Sequence, residues 1–294
     1  MEENMPDYKI ITDSTTDLTV ELIKELDLHI IPMTYTIGDK DYVDLAENPE
    51  LTPHEFYDML RDGKMSTTAQ INVQTFKDAF SSYLDEGRDI LYICFSSALS
   101  STINSARIAV TDLAEEYPDR KILVVDSVAA SLGEGLLVYL AVEQKRAGVD
   151  IDALADWINE KKYSVIHFFT VQDLNHLKRG GRLSGAAALI GTMLSIKPVL
   201  HVDDEGRLVP VTKIRGRRNS LDALVTFMEK YSVEPENQTV FLSHGDALDD
   251  AKYVEKCIRE KFGVKGFVIN NIGPVIGTHS GPGTIALFFV GKKR

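Results

Sequence analysis

Three times in its first half the chain repeats one phrase: a short apolar strand ends in a hydroxyl or acidic residue, and a helical pattern begins at once. Lys9-Ile10-Ile11-Thr12-Asp13-Ser14 precedes Leu18 to Leu26, Ile90 to Phe95 with Ser96-Ser97 precedes Ser101 to Leu113, and Ile122 to Val125 with Asp126-Ser127 precedes Leu132 to Arg146. Strands alternating with helices of this length predict an α/β fold, with mostly parallel sheets covered by helices. Between the first two phrases, His29 to Ile37 reads as a strand that turns at Gly38-Asp39 into Tyr42-Val43-Asp44, a hairpin at the sheet edge. Thr52-Pro53 with Glu55 opens a short helix, the hydroxyl capping it and the proline in its first turn.

The charged stretch Asn159-Glu160-Lys161-Lys162 follows the helix that contains Trp157 and marks a boundary between two α/β domains, residues 1–161 and 162–294. The second half starts again with a strand, Ser164 to Thr170. A hairpin follows, Val199 to Val202 turning at Asp203-Asp204-Glu205-Gly206 into Arg207 to Val211. A helix from Ser220 to Tyr231, a strand from Thr239 to Leu242 and a helix from Leu248 to Phe262 come next, the last with Ala251, Val254, Ile258 and Phe262 on one face. A length of 294 residues accommodates two ordinary domains.

A formal charge of −12 argues against a protein that lives on nucleic acid. Against that background the cluster Lys213, Arg215, Arg217 and Arg218 stands out by its sign. Cys94 and Cys257 form no CxxC pair and read as reduced, buried fillers of a cytoplasmic chain. The acidic start MEENMPDYK lacks the pattern of a secretion signal. The longest uncharged segment, Leu183 to Ile196, has fourteen residues, too short to span a bilayer, so membrane contact is expected to be peripheral at most.

That uncharged segment follows the basic knot Lys178-Arg179-Gly180-Gly181-Arg182. Cations at the mouth of an apolar segment suit a ligand with an anionic head and a greasy body, although a solvated basic turn beside an ordinary buried helix has the same composition. In an open parallel sheet the ligand crevice lies beyond the carboxyl ends of the strands, where helix N-termini point their free amides. Asp13, Ser14, Ser96, Ser97, Asp126 and Ser127 all fall at that edge and can each be a helix cap. Ser96-Ser97 has one hydroxyl more than a cap requires. With Thr67 and Thr68, in the loop Met65 to Gln70 before the next helix, the pair can offer neutral donors to a carboxylate.

Familiar catalytic signatures are missing: there is no GxxxxGK[ST] phosphate loop, no GxGxxG after a strand, no HExxH and no GxSxG elbow. His167, His176 and His201 with Asp203 are too scattered to suggest a metal site. His279 is different. It stands between glycines and prolines, in an expected loop beside Thr278 and Ser280, where a ligand contact or an acid/base role fits it.

The phrases IITDSTTDL, STTAQIN, ICFSSALSSTINSARIA, ILVVDS, LKRGGRLSGAAALIGTMLSIKPVL, KIRGRRNSLDAL and GPVIGTHSGPGTIALFF, in this order, resemble the DegV family of fatty-acid-binding proteins over nearly the whole chain. The resemblance implies two α/β domains with one extended long-chain fatty acid between them, and no other cofactor. It also implies a non-catalytic role as the fatty-acid-binding subunit of a bacterial fatty acid kinase. A separate ATP-binding kinase subunit phosphorylates the bound carboxylate, and the acyl phosphate passes to acyltransferase machinery for phospholipid synthesis.

Carried over motif by motif, the resemblance puts the carboxylate contacts on Thr68, on Ser97 or its neighbour Ser96, and on His279, with Thr67 and Thr278 beside them. It puts the head-group arginine on Arg182 and kinase docking on Arg215, with Arg217 in the same cluster. Ala187, Leu189, Ile190, Met193 and Leu194, within Gly185 to Ile196, are the candidate acyl-tunnel wall. Two departures bear on the head group: the family's usual TSQPS reads Thr68-Ala69-Gln70-Ile71-Asn72, and its usual glycine after SSxLS is Ser101. Burying a sixteen-carbon chain gains on the order of 10 kcal/mol before ordering costs, at about 0.8 kcal/mol per methylene, so the head group need add little. The alternatives are a transport or sensing protein without phosphorylation, and an acyl-ester hydrolase with Ser97 as nucleophile and His279 as base.

Overall fold

The computed structural model describes residues 7–184 and 195–294. The chain opens with β1 (Tyr8–Asp13), α1 (Val20–Glu25), β2 (His29–Ile31), β3 (Thr34–Ile37), β4 (Lys40–Val43), α2 (Pro53–Arg61) and β5 (Ser66–Ala69). It continues with α3 (Val73–Leu84), β6 (Asp89–Cys94), α4 (Thr102–Glu116), β7 (Ile122–Asp126), α5 (Leu132–Arg146) and α6 (Ile151–Lys161). Then come β8 (Val165–Thr170), α7 (Asn175–Arg179), β9 (Ile196–Val202), β10 (Leu208–Arg215), α8 (Arg217–Tyr231), β11 (Thr239–His244), α9 (Leu248–Phe262), β12 (Gly266–Asn271), α10 (Pro274–Ser280) and β13 (Ile285–Val290).

The repeated strand–helix phrase builds one parallel sheet, ordered β2-β1-β6-β7. Every residue of β1 is buried, as a strand covered on both faces must be. The stretch His29 to Ile37 is two strands in two sheets. β2 lies at the edge of the parallel sheet, and after Pro32-Met33 the chain enters a small antiparallel sheet ordered β4-β3-β5. Thr52 and Glu55 cap α2 reciprocally, with Pro53 in the first turn. The helix packs Phe56, Tyr57 and Leu60 against Tyr35 and Ile37 of this sheet.

Helix α5 stands between the first half and the second. Leu132 to Val138 are all buried, because the helix touches β8, β11 and β13 on one side and the turn after β1 on the other. Its glycines permit that approach. A side-chain carbon at Gly133 would overlap the His167 ring, and one at Gly135 would come within 2.9 Å of the Thr16 carbonyl oxygen.

The second sheet, ordered β10-β9-β8-β13-β11-β12, corrects the expectation of mostly parallel sheets: only β11 and β12 run parallel. The reason is connectivity. β9 and β10 form a hairpin, and the last strand of the chain inserts between β8 and β11, antiparallel to both. Two expected loops are also regular structure. Residues 66–69 form β5, because the hydroxyl-rich run Ser66-Thr67-Thr68-Ala69 pairs with β3 along its length. The segment around His279 is helix α10, started by Pro274 after Gly273 and ended by Gly281 at φ 79°, so its glycines and proline act as helix punctuation.

Candidate functional site

A cavity of about 240 Å³ lies where the small sheet, the N-terminus of α4, the start of α5 and the second sheet converge. Its polar end is built from three elements. Thr68 is half-buried on the edge strand β5, His279 lies on the last turn of α10, and Arg182 follows α7. Thr68 Oγ1 is 2.9 Å from His279 Nε2. Burial, reinforced by the Arg182 cation, lowers the His279 pKa to about 4, so the ring is neutral at neutral pH. Gly180 packs against the other face of the site: any side chain there would overlap His279 Nδ1.

Arg182 is exposed and donates to backbone, Nε to the Leu99 carbonyl at 3.3 Å and Nη1 to that of Gly180 at 2.5 Å. It makes no ion pair with a carboxylate among the described residues. Neutral donors with one unpaired cation at the mouth, and Phe95, Leu99, Phe169, Val202 and Phe288 along the rest of the wall, suit a monoanionic amphiphile. The structure therefore brings Thr68, His279 and Arg182 together.

The other candidates lie elsewhere. Ser96 is fully buried and donates to the Gly206 carbonyl at 3.0 Å while accepting from the Ala98 amide, a turn cap. Ser97 is exposed, with its amide bound to Asp126 at 3.2 Å. Neither lines the cavity, because the chain runs on past the end of β6 before α4 begins. The hydroxyls at the cavity are instead Ser100 and Ser101. Ser100 caps the Thr102 amide at 3.2 Å, and Ser101 makes no side-chain cap bond. Gln70, which donates to Ser105 at 3.2 Å, also lines the wall. The signal for Ser100-Ser101 was present as hydroxyls before a helix, four residues further on than Ser96-Ser97.

Thr67 and Thr278 line an adjoining depression of about 220 Å³ that shares Thr68, Arg182 and His279 with the cavity. Thr67 is exposed on the outer side of β5. Thr278 donates to the Pro274 carbonyl at 2.8 Å and meets Ser66 Oγ at 2.7 Å, bracing α10 against β5. Arg217 is half-buried, donating to Asp250 at 2.8 Å and to the Gly283 carbonyl at 2.6 Å, whereas Arg215 is exposed at the end of the edge strand β10. The tunnel candidates Ala187, Leu189, Ile190, Met193 and Leu194 lie outside the described residues.

A set of buried carboxylates braces the cavity from behind, a role that the reading of Asp13 as a simple cap missed. Asp13 accepts from the Thr15 amide at 3.1 Å, Tyr92 at 2.9 Å and the Phe95 amide at 3.2 Å. Glu134 accepts from Thr12 at 3.2 Å and Thr15 at 2.9 Å. Asp17 accepts from Ser131, which lines the cavity, and from the Gly273 amide at 2.8 Å just before α10. Burial raises the pKa of all three. The scattered histidines assemble no metal centre among the described residues. The one cluster with suitable spacing among the described residues, exposed His54 and Asp58 with half-buried Asp246, has Arg61 bound to both aspartates.

The family profile described as an uncharacterised protein of the DegV family matches residues 7–292. A DegV domain-containing protein of Clostridium perfringens is 47% identical over 290 residues, covering 99% of each chain. A DegV family protein of Thermus thermophilus, solved in a study of its fatty acid binding, is 29% identical and superimposes with a TM-score of 0.87 over 97% of this chain and 99% of that one. A DegV lipid-binding protein of Thermotoga maritima is 28% identical, with a TM-score of 0.85 over 98% of this chain and 99% of that one.

Proposed function

This chain belongs to the DegV family, and from that premise we propose that it binds one long-chain fatty acid, with the carboxylate at Thr68, His279 and Arg182 and the acyl chain along the apolar wall. The observation that carries the reading is the Thr68–His279 pair beside an unpaired cation, in a cavity whose wall also carries Phe95, Leu99, Phe169, Val202 and Phe288. Neutral donors hold a carboxylate without burying a tight ion pair, and the chain supplies most of the affinity. The fatty acid binding described for the Thermus thermophilus relative supports the same ligand class. Lipid extraction and native mass spectrometry of the purified protein test it: a single fatty acid per chain is expected, and a delipidated protein that takes up none overturns it.

The bound acid is then presented to a separate ATP-dependent kinase subunit. A carboxylate oxygen attacks the γ-phosphorus of ATP, the bond to the bridging oxygen breaks, and ADP leaves with an acyl phosphate held on this protein. Support comes from the absence of a phosphate loop in the sequence, from the exposure of Arg182 at the mouth, and from the exposed Arg215. A transport or sensing protein would bind the same lipid but yield no acyl phosphate when the kinase and ATP are added, and that assay separates the two readings. An acyl-ester hydrolase finds less support, since Ser97 does not line the cavity that His279 lines.

A further inference from the structure

Outside the Thr68–His279 pair, the adjoining depression of about 220 Å³ has a composition of its own. Lys64 reaches it from the loop before β5 and Arg179 from the last turn of α7, while Arg182 lines both it and the cavity. All three cations are exposed, and none has a carboxylate partner among the described residues. No aspartate or glutamate lines the depression, on a chain with 44 acidic residues against 32 basic ones.

The donors there are held by weak partners. Arg179 Nη1 lies 3.5 Å from Met65 Sδ and Nη2 lies 3.3 Å from His176 Nδ1. A thioether and an imidazole nitrogen are poor acceptors beside an anionic oxygen, which a guanidinium binds in shorter and stronger bonds. The hydroxyls of Ser66 and Thr278 are committed to the Thr36 and Pro274 carbonyls, at 2.8 Å each. Thr67 is exposed and makes no side-chain hydrogen bond among the described residues.

Charge decides what fits. A carboxylate at Thr68 and His279 is a monoanion, and Arg182 alone balances it. Lys64 and Arg179 line the depression and not the cavity, so they are in excess of what that anion needs. Two further cations beside an uncommitted hydroxyl match a phosphoryl group, which carries about two negative charges and three accepting oxygens.

We propose that this depression seats the phosphoryl group: it receives the γ-phosphoryl as the carboxylate oxygen bonds to phosphorus and the bond to ADP breaks, and it then holds the phosphoryl end of the acyl phosphate, with Arg179 and Lys64 as its cations. The inference rests on the kinase reading above and gives that reaction a subsite on this chain.

The probe is 2-oxoheptadecylphosphonate, in which a methylene replaces the bridging oxygen of hexadecanoyl phosphate so that it cannot hydrolyse. Delipidated protein would be titrated with it and with hexadecanoic acid. Arg179→Gln is expected to weaken phosphonate binding about tenfold and Lys64→Gln about threefold, both variants holding hexadecanoic acid as the wild type does, and Arg179→Lys should recover part of the loss. A phosphonate that the wild type does not bind, unchanged phosphonate affinity in Arg179→Gln, or acid and phosphonate weakened alike overturns the subsite and leaves the fatty-acid and kinase readings standing. Wild-type protein that yields no acyl phosphate with the kinase and ATP overturns the kinase reading and the subsite together. Failure of acid and phosphonate alike to bind overturns all three.

Discussion

Oγ1 of Thr68 and Nε2 of His279 stand 2.9 Å apart across 211 residues of sequence, one on the edge strand of the small sheet and the other on the last turn of α10. The contact fixes the chemistry of both groups. With Nε2–H donating to Thr68, the threonine hydroxyl is left to donate onward to a carboxylate; with the other tautomer the hydroxyl is spent on the ring. The anion-binding form is the first, and a carboxylate beside Thr68 selects it.

Thr68→Val keeps the shape of the side chain and removes the hydroxyl. Fatty acid affinity is expected to fall about five- to tenfold, the value of one hydrogen bond to a charged group, with no effect on the apolar contribution. Ser97→Ala should leave affinity unchanged. Fluorescence titration of delipidated proteins decides it; wild-type affinity in the threonine variant would move the carboxylate away from this pair.

Gly180→Ala tests the same contact from behind. Gly180 has φ −70°, which alanine adopts freely, so the backbone contributes no strain. The added carbon would overlap His279 Nδ1 and push the ring off Thr68. Affinity should drop by the amount seen for Thr68→Val, and the double variant should bind no more weakly than either single one. Additive losses would mean that Gly180 acts elsewhere.

His279 also gives a pH signature of known sign. Its native pKa, about 4, lies below the unfolded value of about 6.5, so protons favour the unfolded chain. No penalty exists above about pH 6.5; it grows as pH falls toward 4 and levels off below, at about 3 kcal/mol in full. Urea unfolding of the wild type and of His279→Gln should show the wild type losing stability relative to the variant between about pH 7 and about pH 4.5. A pH-independent difference would mean that the native ring titrates normally.

Asp44 has the opposite sign. Burial, with Asp13 adding repulsion, pushes its pKa up to about 7, and its Oδ2 has no hydrogen-bond partner among the described residues. The folded chain therefore holds this proton more tightly than the unfolded one, where the pKa is about 3.9. That stabilisation is complete below the unfolded value and is lost as pH rises through 7, about 4 kcal/mol at most. Asp44→Asn should exceed the wild type in urea midpoint by a margin that widens as pH rises from about 5 to about 8. A variant equally or less stable at the higher pH would place an unseen partner on the carboxylate.

Much of the architecture was legible because hydrophobic period and punctuation act locally. α5 and α9 run from Leu132 to Arg146 and from Leu248 to Phe262, as the patterns required. The direction of β13 was not legible, since strand insertion depends on which edge a later segment finds. At the site, Thr68, His279 and Arg182 could be named from motifs and do converge. Ser100 and Ser101 line the cavity and Ser96 and Ser97 do not, because the seven residues between β6 and α4 leave no periodic trace.

The kinase-docking proposal separates two neighbouring arginines. Arg217 is tied to Asp250 and to the Gly283 carbonyl in the loop after α10, so Arg217→Ala should lower stability by about 1–2 kcal/mol and disturb the head-group helix as well. Arg215 is exposed at the end of an edge strand, with Ile196 as its ladder partner, and its removal should cost the fold almost nothing. A cation on the rim of an interface acts mainly through the rate of encounter. Arg215→Ala is therefore expected to bind fatty acid normally, to raise the kinase concentration needed for half-maximal acyl phosphate formation about tenfold, and to flatten its dependence on salt. Identical kinase titrations for Arg215→Ala and wild type, at low and high salt, would move the docking surface away from β10.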